Sequence, residues 1–412
     1  GLNSETAVAF NITSREQVEY VEEIYMIENV TDSVIYVGCD DTTDPLFESQ
    51  YAVPNGMAYN SYVVKGEKTA VMDTVDKKVI DQWMNNVNEA VNGAPVDYLV
   101  VQHLEPDHSA AIATFMDAHP ETTLVTSVKA ASMLPNFAVG KDYSGRMITV
   151  KEGDELDLGG RKLHFVQTPM VHWPEVIMSY DDKDKILFCA DAFGKFGTRK
   201  CQEDWDDEAA RYFLNIVGKY GVQVQNVLKK AAGLDIAVLA PLHGPILTED
   251  LGHYIKLYDI WSSYKPDKEG IFIPYASIHG HTNEVAFKLK EILEAKGQTV
   301  KLLDLTRGDV HEAAANCYRY PKIILVACSY DAGVFPPMER MLNILSHKNF
   351  QNRTIGFVEN GSWAPSAAKT MVELLSKCRN LDLIEPVVTI RTSLKDSDLP
   401  ALEKLADDII SA

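Results

Sequence analysis

The sequence predicts an α/β protein of two units, an N-terminal αββα sandwich followed by a doubly wound parallel five-stranded sheet. The chain has 412 residues, more than one core ordinarily organises, since single cores stop growing near roughly 250–300 residues. Up to about residue 261 short β-rich runs mix with helical patterns, whereas from residue 271 strand and helix patterns alternate strictly. Between them residues 262–268 form a polar stretch containing Pro266, which reads as a linker. The expected divisions are therefore an N-terminal extension over 1–20, a first unit over 21–264 and a second over 265–412.

Residues 1–17 are polar and lack a signal-peptide apolar run, so they are expected as a frayed extension. Over residues 34–72, β-rich runs such as 59–64 and 69–72 are separated by Gly and Pro, which reads as an antiparallel start. A helix is expected over 77–91, a strand over 98–101 and a helix over 109–118. Strands follow at 163–167, 176–180 and 186–190, the last two joined by an acidic turn at 181–184. One long helical region is expected over 206–232, then a strand at 236–240. In the second unit strands near 271–275, 300–305, 322–328, 354–358 and 387–390 each precede a helical pattern, and five βα units imply a doubly wound sheet. No repeat with a period of 20–50 residues is visible.

Composition narrows the function classes. Apolar residues make up 46% and charged residues 24% of the chain, ordinary values for a globular protein. A formal net charge of −20 argues against nucleic acid as a partner, because such binding depends on Lys and Arg neutralising phosphates. No run of about 18 apolar residues exists, so no membrane span is expected. The six cysteines are scattered without a CxxC pair, which excludes a thiolate zinc or rubredoxin-type iron site within this chain. They read as reduced thiols of a cytoplasmic protein.

The run His103-Leu104-Glu105-Pro106-Asp107-His108 directly follows the strand at 98–101. In an extended loop His103, Glu105 and Asp107 would project to one side, because side chains alternate with period two. Imidazoles with carboxylates make a mixed nitrogen and oxygen donor set that suits iron or manganese. Taken alone, such a loop is equally compatible with a solvated surface turn. His172, Asp191 and His243 each lie just beyond the carboxyl end of an expected strand, where open α/β sheets build their sites. His164 falls inside a strand and reads as structural.

This set resembles the metallo-β-lactamase superfamily, whose usual signature is HxHxDH followed by a distant His, a metal-bridging Asp and a final His. Glu105 stands at the second His position, and with the spacing to His172, Asp191 and His243 the pattern is similar to that of the flavodiiron proteins. The resemblance implies His103, Glu105 and His172 on one iron, Asp107, His108 and His243 on the other, and Asp191 bridging. A carboxylate in place of an imidazole adds charge and a harder donor, favouring oxidised iron over zinc.

In the second unit the first strand leads into Ser277, His279, Gly280, His281, Thr282 and Asn283 before a helix, and a hydroxyl-rich and Gly-containing turn at a helix N-terminus cradles anions. The turn resembles the flavodoxin phosphate loop, commonly T-x-T-G-x-T, with His279 at a hydroxyl position; a plain helix cap is the competing reading. Ser329, Tyr330, Asp331, Ala332 and Gly333 follow the third strand, and Asn360, Gly361, Ser362, Trp363 and Ala364 follow the fourth, with Ala364-Pro365 where many relatives have a glycine pair. These strand ends are where a flavodoxin holds its isoalloxazine ring, and the implied cofactor is FMN.

The resemblance implies an oxidoreductase that takes electrons through FMN to a non-haem di-iron site and reduces O₂ to water, NO to N₂O, or both. It further implies a head-to-tail homodimer and a separate electron donor, rubredoxin or a flavin reductase. Lys195, Arg199 and Lys200 are candidates for a basic docking patch, against the reading of an ordinary solvated loop. The competing functions are a zinc metallohydrolase with a flavodoxin-like accessory domain, and an electron carrier whose metal site is structural.

Overall fold

In the computed structural model residues 27–202 and 204–412 are described, so the extension expected over 1–20 lies outside the described residues. Two mixed sheets stack face to face. The first runs in the order Glu28–Asn29, Val34–Tyr36, Tyr62–Lys65, Thr69–Met72, Tyr98–Val101, Thr123–Ser127 and Met147–Val150. The second is Glu155–Asp157, Lys162–Gln167, Ile177–Asp181, Ile186–Phe188 and Val238–Ala240. Apolar residues from both inner faces, among them Tyr62, Val100, Phe165 and Phe188, form one buried layer. Helices cover the outer faces: Ile80–Val91 and Ile112–Ala118 bring Trp83 and Phe115 onto the first sheet, while Phe213, Val224 and Trp261 lie over the second. Central strands such as Tyr98–Val101, apolar on both faces, require cover on both sides.

A third sheet is parallel, in the order Val300–Asp304, Ile271–Ala276, Lys322–Tyr330 and Gln351–Asn360, with Arg379–Leu383 and Val388–Ile390 sharing the last position. This is a doubly wound sheet with the strand order of a flavodoxin-like fold. The predicted fold class therefore holds for both parts. One apolar cluster continues from Phe213 and Trp261 into Phe272 and Met338, and Arg319 ties the parts together by donating to Asp207 at 2.6 Å and Asp267 at 2.7 Å.

The helix expected over 206–232 is broken. An α-helix Trp205–Tyr212 passes into a π turn Phe213–Val217, a 3₁₀ turn Gly218–Tyr220 and a second α-helix Gly221–Ala231. Glycines open the last two of these segments and weaken the ladder there, and at Gly221 a Cβ would meet the carbonyl oxygen of Ser262 at 2.3 Å. The strands Thr123–Ser127, Met147–Val150, Glu155–Asp157 and Arg379–Leu383 were not expected; they are short, at or next to sheet edges, and all but Met147–Val150 are rich in polar residues.

Arg161 joins the stacked sheets. It donates to Asp181 at 2.8 Å and 2.5 Å, with both side chains fully buried, and reaches Ser33 on the other sheet at 2.7 Å. Arg161→Ala leaves the Asp181 carboxylate buried and unpaired. It is expected to cost about 3–5 kcal/mol, measured as a lowered urea midpoint at unchanged slope.

Candidate functional site

The site begins at Asp73, whose carboxylate accepts from the backbone N–H of Gln102 at 2.7 Å and of His103 at 3.3 Å, and from Gln102 Nε2 at 2.9 Å. These bonds hold the exit from the strand Tyr98–Val101. Pro106 then opens a short helix, Pro106–Ser109, consistent with the preference of proline for the first helical position. The expected extended run through Asp107 is therefore incorrect. The helix swings Asp107 and His108 away from His103 and Glu105, and one short motif supplies two clusters. His103, Glu105, His172 and Asp191 form one, and Asp107, His108 and His243 the other, with the ligand atoms of each within 4.8 Å of one another.

Asp191 stands between them. Its Oδ2 lies 3.0 Å from His172 Nε2 and 3.5 Å from His103 Nε2, while Oδ1 lies 3.2 Å from His108 Nε2 and 3.7 Å from His243 Nε2. Glu105 Oε2 is 3.3 Å from His103 Nε2 and 3.0 Å from His172 Nε2. Asp107 Oδ2 is 3.2 Å from the Nε2 atoms of both His108 and His243, which are 3.0 Å apart. All four imidazoles thus turn Nε2 inward, His108 included. Behind them, His103 Nδ1 lies 2.8 Å from Glu175 Oε1, and His243 Nδ1 donates to the Ala58 carbonyl at 2.7 Å. An Nδ1–H committed to such an acceptor leaves the Nε2 lone pair free to face a cation.

The donor set itself calls for a cation. Both carboxylate oxygens of Asp107 and Oδ1 of Asp191 are buried without a hydrogen bond, and buried acceptors of this kind are costly unless something positive faces them. Burial alone would drive protons off the imidazoles and onto the carboxylates; the mutual field reverses both. Despite burial, the charge of Asp191 and hydrogen bonds that His103 donates to Asp191, Glu105 and Glu175 hold the His103 pKa well above the usual histidine range, and the same kind of contacts with Asp191 and Glu105 push His172 up to about 9. Asp191, also buried, is held well below the carboxylate range by His103, His108 and His172. Four nitrogens and three carboxylates without a thiolate suit iron or manganese, and metal binding would exchange these protons for the cation.

Glu175 and Tyr212 were not singled out in the sequence. Glu175 is 72 positions from His103, so only the fold pairs them. Tyr212 is fully buried with its ring 5.6 Å from that of His243 and its hydroxyl without a hydrogen-bond partner. His164 is apart from the clusters, paired on its strand with Glu155 at 3.1 Å and Asp182 at 3.2 Å. The basic docking patch is also corrected. Lys195 is buried with Nζ 3.1 Å from the Phe196 carbonyl and from Cys201 Sγ. Arg199 lies over the Tyr36 ring and meets Glu28 at 2.7 Å, where Lys200 also ends at 3.2 Å. Lys195 and Arg199 thus turn inward, while Lys200 stays exposed beside Glu28.

At the carboxyl end of the third sheet lies a cavity of 690 Å³, within the range for small-molecule sites. Ser277, His279, His281 and Thr282 line it from the first loop, Ser329, Tyr330, Asp331 and Ala332 from the second, and Asn360, Gly361, Ser362, Trp363 and Ala364 from the third. Gly280, Asn283 and Gly333 do not. Gly280 donates its N–H to Ser277 Oγ at 3.1 Å, Asn283 lies within the helix His281–Ala295, and Gly333 pairs back onto Tyr330. Ile278, Cys328, Pro365, Ser366 and Thr392 were missed. The helix His281–Ala295 has no side-chain cap, so its first N–H groups face the cavity region unclaimed. Trp363 is 88% and Tyr330 46% exposed at the rim, flat apolar faces suited to an aromatic ring.

Residues 57–244 match the family model described as ODP family beta lactamase. The anaerobic nitric oxide reductase flavorubredoxin of Pectobacterium atrosepticum is 28% identical over 352 residues, covering 82% of this chain and 68% of that protein. Rubredoxin oxygen:oxidoreductase from Desulfovibrio gigas superposes with a TM-score of 0.87 at 24% identity, over 94% of this chain and 98% of that one. The flavodiiron protein from Giardia intestinalis gives 0.86 at 22%, over 94% and 97%. The chain resembles the flavodiiron proteins along most of its length and has their fold. Within the flavodiiron fold, the two clusters and the cavity share no residue. Among the described residues no helix is long and apolar enough to cross a membrane.

Proposed function

We propose that this chain is an oxidoreductase that passes electrons from an external donor through FMN to a di-iron site reducing O₂, NO or both. The observation that carries this reading is Asp191, which presents one carboxylate oxygen to each of two clusters built from His103, Glu105 and His172 and from Asp107, His108 and His243. We assign these seven as the iron ligands. When bound, a pair of ferrous ions and a reduced flavin supply the electrons for reduction of a diatomic substrate. The protein's contribution is positional. Glu175 and the Ala58 carbonyl orient the imidazoles, and burial of His103, His108 and His243 keeps bulk water from the inner atoms. The 690 Å³ cavity is assigned to FMN, its phosphate at the loop before His281–Ala295 and its ring beside Tyr330 and Trp363.

A head-to-tail homodimer supports electron transfer, since the metal clusters and flavin cavity have no residue in common and a second copy can set one chain's flavin against the other's metals. The donor is proposed to be rubredoxin or a flavin reductase, docking elsewhere than on the buried Lys195 and Arg199. A cytoplasmic setting suits six cysteines that form no disulfide among the described residues. The test is anaerobic loading with ferrous ion and FMN, followed by stopped-flow mixing with each gas. Reoxidation of the flavin with consumption of O₂ or NO is expected. Tight binding of zinc alone, with ester or lactam cleavage, would replace this reading by the hydrolase.

A further inference from the structure

We propose that Tyr258, Trp261, Trp205 and Tyr254 form a relay that carries oxidising equivalents from the metal clusters to the surface when the flavin supplies no electron. The inference rests on the di-iron reading above. Its starting point is the helix Leu251–Ser262, in which Tyr254, Tyr258 and Trp261 fall at i, i+4 and i+7 and so share one face. Phenol and indole are among the side chains most easily oxidised by one electron, and Trp205 adds a second indole against the same face.

The inner end of the series meets the metal site through bonds. Phe193, two residues beyond Asp191, donates its backbone N–H to the Tyr258 hydroxyl at 2.5 Å, and the two rings stack with centroids 4.2 Å apart. Trp261 is next, its ring 5.8 Å from that of Tyr258, with the Phe213 ring 4.8 Å from the first and 5.6 Å from the second. Trp205 stacks on Trp261 at 6.3 Å and 16°, and Tyr254 meets Trp205 edge-on at 4.5 Å. Tyr258 and Trp261 are buried, whereas Trp205 and Tyr254 are half-buried. The series therefore runs from the sealed interior to solvent.

Packing alone does not call for indoles here. The Nε1–H groups of Trp205 and Trp261 are buried, and neither has a hydrogen-bond partner among the described residues. A buried donor without an acceptor is costly, and phenylalanine would fill much of the same apolar space without one. What an indole offers and a phenyl ring does not is an electron that is easily given up.

The electron count shows when such a donor is needed. Reduction of O₂ to two waters takes four electrons and four protons. Two ferrous ions becoming ferric give two of the electrons, and a reduced flavin gives the other two. Where the flavin is oxidised, two aromatic side chains at the outer end each lose one electron and one proton, and solvent supplies the remaining two protons. Each side chain regains a hydrogen atom from an added thiol, which is oxidised to disulfide. The relay thus places the oxidation on half-buried residues and spares the metal ligands.

The test loads the full chain with ferrous ion, without flavin or donor, and exposes it to O₂. Peptide mass spectrometry maps oxygen added to Trp and Tyr, and freeze-quench electron paramagnetic resonance looks for aromatic radicals. Trp205 and Tyr254 are expected to be oxidised in the iron-loaded chain and not in the iron-free chain. In Trp261→Phe that oxidation should be lost, with iron per chain and circular dichroism unchanged. In Trp205→Phe, which cuts the relay at a half-buried position, the oxidation of Tyr254 should be lost. Undiminished oxidation of Tyr254 in these variants overturns the proposal, because it is then oxidised from solvent. Oxidation confined to Trp173, whose ring lies 5.3 Å from that of His103, overturns it as well, as does oxidation of the iron with no aromatic residue modified. Failure of the chain to hold iron overturns the di-iron reading instead.

Discussion

Asp191→Ala is expected to leave a folded protein that carries at most one tightly held iron and reduces O₂ or NO more than about a hundredfold more slowly, since even orienting residues around a metal are worth 10–100-fold. Asp191 is the one carboxylate that approaches all four inward imidazole nitrogens, at 3.0, 3.2, 3.5 and 3.7 Å. Without it each cluster keeps a partial donor set, but nothing spans them. The measurements are iron per chain by metal analysis, circular dichroism to establish the fold, and turnover with each gas. Two irons retained with native turnover would sink the bridging assignment, whatever the rest of the site does.

Glu175→Gln is expected to lower iron affinity by about 10–100-fold with little change in fold. The carboxylate accepts from the Leu104 N–H at 2.9 Å and lies 2.8 Å from His103 Nδ1, and burial notwithstanding, these partners keep its pKa below the usual carboxylate range with His103 leading. A neutral amide keeps the shape but removes the charge that makes the imidazole a stronger donor. Competition against a chelator of known affinity reads the change directly, and Glu175→Asp should recover part of it. Unchanged affinity in the Gln variant would mean that His103 is oriented by packing, for which the Trp173 ring at 5.3 Å is the available surface.

Much of the site was legible because it is written at strand ends. The residues His103, Glu105, Asp107 and His108 sit in six consecutive positions, and His172, Asp191 and His243 each follow a run that reads as a strand. What misled was conformation between such points. Period-two alternation put Asp107 beside Glu105, but Pro106 nucleates a helical turn and divides the motif between two clusters. The charges of Lys195 and Arg199 looked like surface because composition carries no direction. In the fold the first is buried against Cys201 and the second against Tyr36 and Glu28.

By itself the sequence determined the fold class, through apolar runs whose period must be covered on one face or two, and the donor atoms a candidate metal site can draw on, through the side chains offered after each strand. Only the tertiary structure decided that Glu175 stands behind His103, that Ala58 fixes His243, that Asp191 faces both clusters, and that the cavity at the end of the third sheet is lined without Lys or Arg. The physical reason is that periodicity and propensity are local properties of the chain. A metal site or a cavity is instead a meeting of groups up to 185 positions apart, and their separation in ångströms is set by how sheets stack and where loops turn back.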